Sequence, residues 1–224
     1  MFNYLNEYIA FSTKINDYIS TIMRENKISC EEYRYTHVWE VVKSQGVAIR
    51  GFDFEGIASK RISGMLFQDS LETTIVFNQQ LNNQNKKFVI SHEIVHYLFH
   101  KTDENVVFVD SHKDIQSSSH KELHEFQANI GASAILIPDR VLVHFLKKGW
   151  GLAQLSDHFE ISENHLSGRL IQMMQANLGL CLKVAKNHVD CIRYQSDKKG
   201  SRNAFLIAVE LEYRQKEHEW LRTF

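Results

Sequence analysis

Proline is nearly missing from this chain of 224 residues: Pro138 is the only one. No low-complexity linker and no internal repeat divides the sequence either, which excludes a string of modules on proline-rich tethers. Cysteine is sparse as well. Cys30, Cys181 and Cys191 are odd in number and widely spaced, unlike a secreted disulfide framework, so reduced thiols are expected. No run approaches the roughly 18 apolar residues that span a bilayer, and no membrane association is expected. Near the N-terminus Asn3, Asn6, Glu7 and Lys14 interrupt the apolar residues at helical spacing, which is not the pattern of a signal peptide. A cytoplasmic protein is the expectation. An excess of one charge is also lacking: the formal net charge is -1, so there is no global positive field and direct nucleic-acid binding is not expected. What the chain has is a hydrophobic content of 43%, enough for a substantial core.

The stretch Ser91-His92-Glu93-Ile94-Val95-His96-Tyr97-Leu98-Phe99-His100 organises the rest. Residues four apart on a helix share a face, so His92 and His96 can grip one metal ion, and Glu93 beside them can reach a water on it. This is the H-E-x-x-H pattern of zinc peptidases, and apolar neighbours from Phe88 to Phe99 predict a buried helix over residues 86 to 101. His100 lies about 12 Å along the axis from His92 at about 1.5 Å per residue, too far to share their ion, and is expected to be structural. Tyr97 is expected to pack. A scheme with a third histidine fails because Phe99 and Thr102 stand where glycine and histidine are needed.

A second helix, over residues 120 to 136, ends at Pro138 and carries Glu125 and Asn129 four apart on one face. A carboxylate from another helix is what a His-His-Glu zinc site with an open fourth position requires. Glu122, one turn earlier, is the rival for Glu125, and His120 and His124 are weaker ones. Asn129 could hydrogen-bond a metal-bound histidine and fix its tautomer.

Elsewhere the periodicities predict an amphipathic helix over 2 to 24, with Ser12-Thr13 as the place for a break, and another over 31 to 44. Val47 to Ile49, Ile62 to Phe67 and Thr73 to Phe77 read as strands, the last two as a hairpin leading into the metal helix. Thr73, Thr74, Ile75, Val76 and Phe77 are the candidate sheet edge on which extended substrate would pair, with an ordinary core strand as the equal alternative. Helices over 138 to 148 and 151 to 158 precede Ser162, which caps a helix reaching Asn177. Leu152 to Leu170 also fits a helix-turn-helix, but Arg169 is the only Lys or Arg between Ser162 and Met173, so packing is favoured over DNA reading. Leu180 to Val184, Val189 to Tyr194 and Phe205 to Tyr213 alternate like strands. The expected fold is therefore α+β, with helices around a small twisted sheet over residues 1 to 177 and a β-rich C-terminal extension over 178 to 224.

The His92 to His100 block, Glu125-Phe126-Gln127-Ala128-Asn129, the Leu136-Ile137-Pro138 ending, and the segment Leu152 to Ser162 with Arg169-Leu170 together resemble the ImmA/IrrE family of metallo-endopeptidases over roughly residues 60 to 175. The resemblance implies a zincin-like arrangement with His92, His96 and Glu125 as ligands to Zn2+ and Glu93 as the catalytic acid/base. It also implies a protein substrate, a helix-turn-helix repressor of a phage, mobile element or stress response. Ser91, Gln127 and Gly131 depart from the family's usual residues, and none of them removes a ligand. The competing expectation is a non-proteolytic regulator that binds a repressor or DNA.

Overall fold

Tyr8, Phe11, Ile15, Ile19 and Ile22 recur at helical spacing and are all buried, and they close the first helix, α1 (Leu5–Glu25), without interruption. The expected break at Ser12-Thr13 does not occur, because Ser12 is held on both sides. Its hydroxyl donates to Asp139 Oδ2 at 3.4 Å and its carbonyl accepts from Asn16 Nδ2 at 2.8 Å. The computed structural model describes residues 5–68, 71–100, 107–111, 119–193 and 198–221. After α1 come α2 (Thr36–Ser44), β1 (Val47–Phe52), α3 (Ala58–Arg61), β2 (Ile62–Gln68), β3 (Thr73–Asn78), α4 (Asn83–Phe99), β4 (Val107–Ser111) and α5 (Ser119–Leu136). The order ends with α6 (Asp139–Lys147), α7 (Leu152–Phe159), α8 (Glu163–Leu178), α9 (Leu182–Arg193) and α10 (Lys198–Leu221). The chain forms two compact units, one of Arg34–Leu136 and one of Met1–Tyr33 with Ile137–Phe224. The expected division at residue 177 falls inside α8.

The unit of Arg34–Leu136 is built on a four-stranded sheet of order β1-β3-β2-β4. β2 and β3 pair antiparallel, β1 runs parallel to β3, and β4 lies antiparallel to β2. This corrects the reading of Thr73 to Phe77 as an edge. Thr73, Thr74, Ile75, Val76 and Phe77 are paired with β1 on one side and β2 on the other, and a strand whose backbone groups are satisfied on both sides cannot accept another. The edges are β1 and β4. Asn78 ends β3 by donating from Nδ2 to the carbonyls of Ser59 and Ile62 at 2.9 and 3.1 Å. Four residues on, Asn82 caps α4 by accepting from the Asn85 N–H at 2.8 Å. Every residue of α4 from Val89 to His96 is buried, the polar Ser91, His92, Glu93 and His96 with the apolar Val89, Ile90, Ile94 and Val95. The polar Ser91 inside that run accepts a hydrogen bond from Trp39 Nε1 of α2 at 3.1 Å. α4 packs on β2 and β3 and, most extensively, on α5. The segment Ser111 to Ser119, whose serine-rich sequence predicts a polar loop, lies almost wholly outside the described residues.

Among the described residues of the other unit the regular elements are all helices. The β-rich C-terminal extension expected over 178 to 224 is not there: Leu182–Arg193 and Lys198–Leu221 are helices. Their buried residues fall at helical steps, Ala185, Val189 and Ile192 in α9, and Ala204, Ile207, Ala208 and Leu211 in α10. Apolar side chains on the opposite faces, Val184, Phe205 and Val209 among them, are exposed. Together the two faces imitate the alternation of a strand. In α8, Ser162 caps as expected, accepting from the His165 N–H at 3.2 Å. Arg169 is turned inward, 4% exposed, and meets Asp139 Oδ1 of α6 at 2.5 Å. No single helix among the described residues is long and apolar enough to cross a membrane, and the three cysteines are free.

Candidate metal centre

α4 presents His92 and His96 one turn apart on the face it turns to α5, with 3% and 1% exposure. Their Nε2 atoms are 3.0 Å apart. From α5 the Glu125 carboxylate reaches both, with Oε2 3.2 Å from His92 Nε2 and Oε1 3.5 Å from His96 Nε2. Among the described residues this is the group of His, Cys, Asp and Glu side chains whose ligand atoms converge, all within 4.8 Å of one another. Two atoms each held about 2.0 to 2.2 Å from a tetrahedral ion stand roughly 3.3 to 3.6 Å apart; the carboxylate lies at or just under that spacing from the two rings, and the two Nε2 atoms stand closer than it. The side chain of Glu125 keeps 30% exposure, which opens the cluster to solvent beside it.

The protonation pattern agrees with a metal. His92 Nδ1 faces the Asn129 side-chain oxygen at 3.2 Å, so Nδ1 carries a proton, and in the neutral ring Nε2 keeps the lone pair. Burial, reinforced by the neighbouring His92, His100 and His124, pushes the His96 pKa far below the ordinary histidine range, so its ring is neutral at pH 7. With His92 donating from Nδ1 to Asn129 and the His96 ring neutral, two Nε2 atoms and a carboxylate converge on one point, which fits a cation such as Zn2+.

Glu93 follows His92 directly and is 1% exposed. It is roofed by β2 at Gly64, where an added Cβ would overlap Val89 Cγ1 and stand 3.2 Å from Glu93 Oε1. The missing side chain at Gly64 thus leaves room for Val89 and lets the Glu93 carboxylate lie close against the strand. The H-E-x-x-H spacing gives no sign of it, since the strand comes from a different part of the chain. His100 is buried, with its Nδ1 3.0 Å from His96 Nδ1 and its Nε2 2.7 Å from Gln127 Oε1. Burial lowers the His100 pKa to about 4, partly offset by the bond with Gln127. Glu122, the rival for Glu125, is exposed and is not part of the converging group. His124 stacks on His100 with ring centroids 4.4 Å apart.

Residues 42–170 match the family model described as the IrrE N-terminal-like domain. A stretch of 92 residues is 29% identical to the radiation response metalloprotease IrrE of Deinococcus deserti, covering 39% of this chain and 32% of that protein. The match therefore spans about a third of the relative's length.

Proposed function

The chain belongs to the family of IrrE N-terminal-like domains, and from that premise we propose that it is a zinc-dependent endopeptidase cleaving a protein substrate. The observation that carries the reading is the convergence of His92 Nε2, His96 Nε2 and the Glu125 carboxylate, with Glu93 next in sequence to the first of them. The name of the Deinococcus relative, a metalloprotease, supports the same chemistry. The substrate class that fits the family resemblance is a helix-turn-helix repressor of a phage or mobile element, met in the cytoplasm, where free thiols are the norm.

When bound, zinc supplies a Lewis acid that polarises the scissile carbonyl and lowers the pKa of water towards about 7. His92, His96 and Glu125 would hold the ion, with Asn129 fixing His92 in the right tautomer. Glu93 takes the proton from the attacking water and returns it to the leaving amine. Its confinement under Gly64 keeps the carboxylate in one orientation for both transfers. Extended substrate has β4 available to it, the sheet edge that pairs with β2 at Gly64↔Asp110.

Zinc content and cleavage of the cognate repressor, compared between wild type and Glu93→Gln, test the proposal. The expected result is stoichiometric zinc in both proteins, with fragments from the wild type alone. Zinc well below one ion per chain after loading would remove the metal centre. Equal activity of Glu93→Gln would remove Glu93 from the chemistry and favour a non-proteolytic regulator.

A further inference from the structure

His92 and His96 differ in what stands behind them. His92 Nδ1 ends directly on the Asn129 oxygen at 3.2 Å. Behind His96 there are two hydrogen bonds in series, His96 Nδ1 to His100 Nδ1 at 3.0 Å and His100 Nε2 to Gln127 Oε1 at 2.7 Å. A bond between two neutral imidazole nitrogens holds one proton, so one ring donates and the other accepts. Such a chain can run in either of two directions, and the direction decides where the remaining nitrogen of His96 stands. If Gln127 Oε1 accepts from His100 Nε2–H, then His100 Nδ1 is bare and accepts from His96 Nδ1–H, and His96 Nε2 keeps a lone pair. Run the other way, the series leaves a proton on His96 Nε2, pointing at the place where an ion would sit.

We propose that His100 and Gln127 are positioning residues that lock His96 into its metal-binding tautomer, so that Gln127 sets metal affinity without touching the ion. The inference rests on the metal-centre reading above. The carbonyl oxygen of Gln127 is the terminal acceptor, and the stacked His124 ring, tilted 9° from that of His100, keeps His100 from turning away. Both relays end on α5, one at Asn129 and one at Gln127, on the helix that also supplies Glu125. Metal held between the helices thus draws on three residues of α5, and only one of them is a ligand.

Zinc affinity measured by competition with a chromogenic chelator, with thermal unfolding of the metal-free proteins as a folding control, separates this role from packing. Gln127→Leu and His100→Phe remove the acceptor and weaken zinc binding about 10- to 100-fold, the range typical of lost outer-shell partners. Gln127→Glu can only accept in its ionised form, so it holds the series in the productive direction and binds zinc at least as tightly as wild type. His100→Asn retains an acceptor oxygen opposite His96 Nδ1 and recovers most of the affinity lost in His100→Phe. If His100→Phe does not fold, the two Gln127 variants decide. All folded variants within about twofold of wild type, or Gln127→Glu weakened as much as Gln127→Leu, would overturn the relay while leaving the metal centre standing. A wild type that takes up no zinc would overturn the metal centre and the relay together.

Discussion

At Gly64 one missing methyl group decides what the neighbouring carboxylate can do. An added Cβ there overlaps Val89 Cγ1 and stands 3.2 Å from both Glu93 Oε1 and the Val76 carbonyl, and overpacking a filled interior costs about 1 to 3 kcal/mol. Gly64→Ala is therefore expected to lose stability in that range, read from urea unfolding, and to lose cleavage through displacement of Glu93. Gly64→Ala with Val89→Ala removes the larger overlap and regains part of the stability; no recovery would show that Val89 is not the obstacle. At this scale the sequence is eloquent about metal chemistry and offers one of its supports, Asn129, but not the others. His92, His96 and Glu93 stand out because their spacing is local, whereas Gly64 and Gln127 matter only through residues remote in sequence. The step of four that joins His92 to His96 repeats at His100, and this was the available signal for a third ring in line.

Among elements, helices were legible where one face is apolar, and misread where both are. In α10 the buried Ala204, Ile207, Ala208 and Leu211 keep helical steps, but the exposed Phe205, Val209 and Tyr213 fill the intervals and turn a period near 3.6 into an apparent period of two. The sequence leaves β3 open between edge and core strand for another reason. Its sequence shows a strand well enough, but its partner β1 lies parallel to it over six paired positions, and parallel pairing across intervening elements leaves no local trace. The tie between α6 and α8 is testable. Arg169 and Asp139 have side chains 4% and 14% exposed, and removing one partner of a buried pair costs about 3 to 5 kcal/mol. Asp139→Asn is expected to approach that loss in urea, whereas Asp139→Asn with Arg169→Met, which leaves no buried charge behind, recovers most of it. Equal losses in the single and double variants would mean that the pair is not what the helices depend on.

For the whole molecule, all three candidate ligands and both relays belong to the unit of Arg34–Leu136, so metal is expected to stabilise that unit first. At zinc concentrations about 100 times Kd the gain is about 2.7 kcal/mol. Hydrogen exchange with and without a chelator checks this: protection gained on metal binding concentrates in α4 and α5, with little change in α6 to α9. A uniform gain along the chain would show that the two units unfold as one. The division is not visible in composition, because no linker marks it; one unit is inserted into the other, and its limits fall at Arg34 and Leu136. That insertion fixes an order of events on the ribosome. α1 is made before the inserted unit, yet α8, against which it packs, is synthesised only after that unit is complete, so α1 waits while the candidate ligands acquire all their partners. A metal ion bound as proposed would then be captured by a nascent chain, before translation has supplied the helices that complete the other unit.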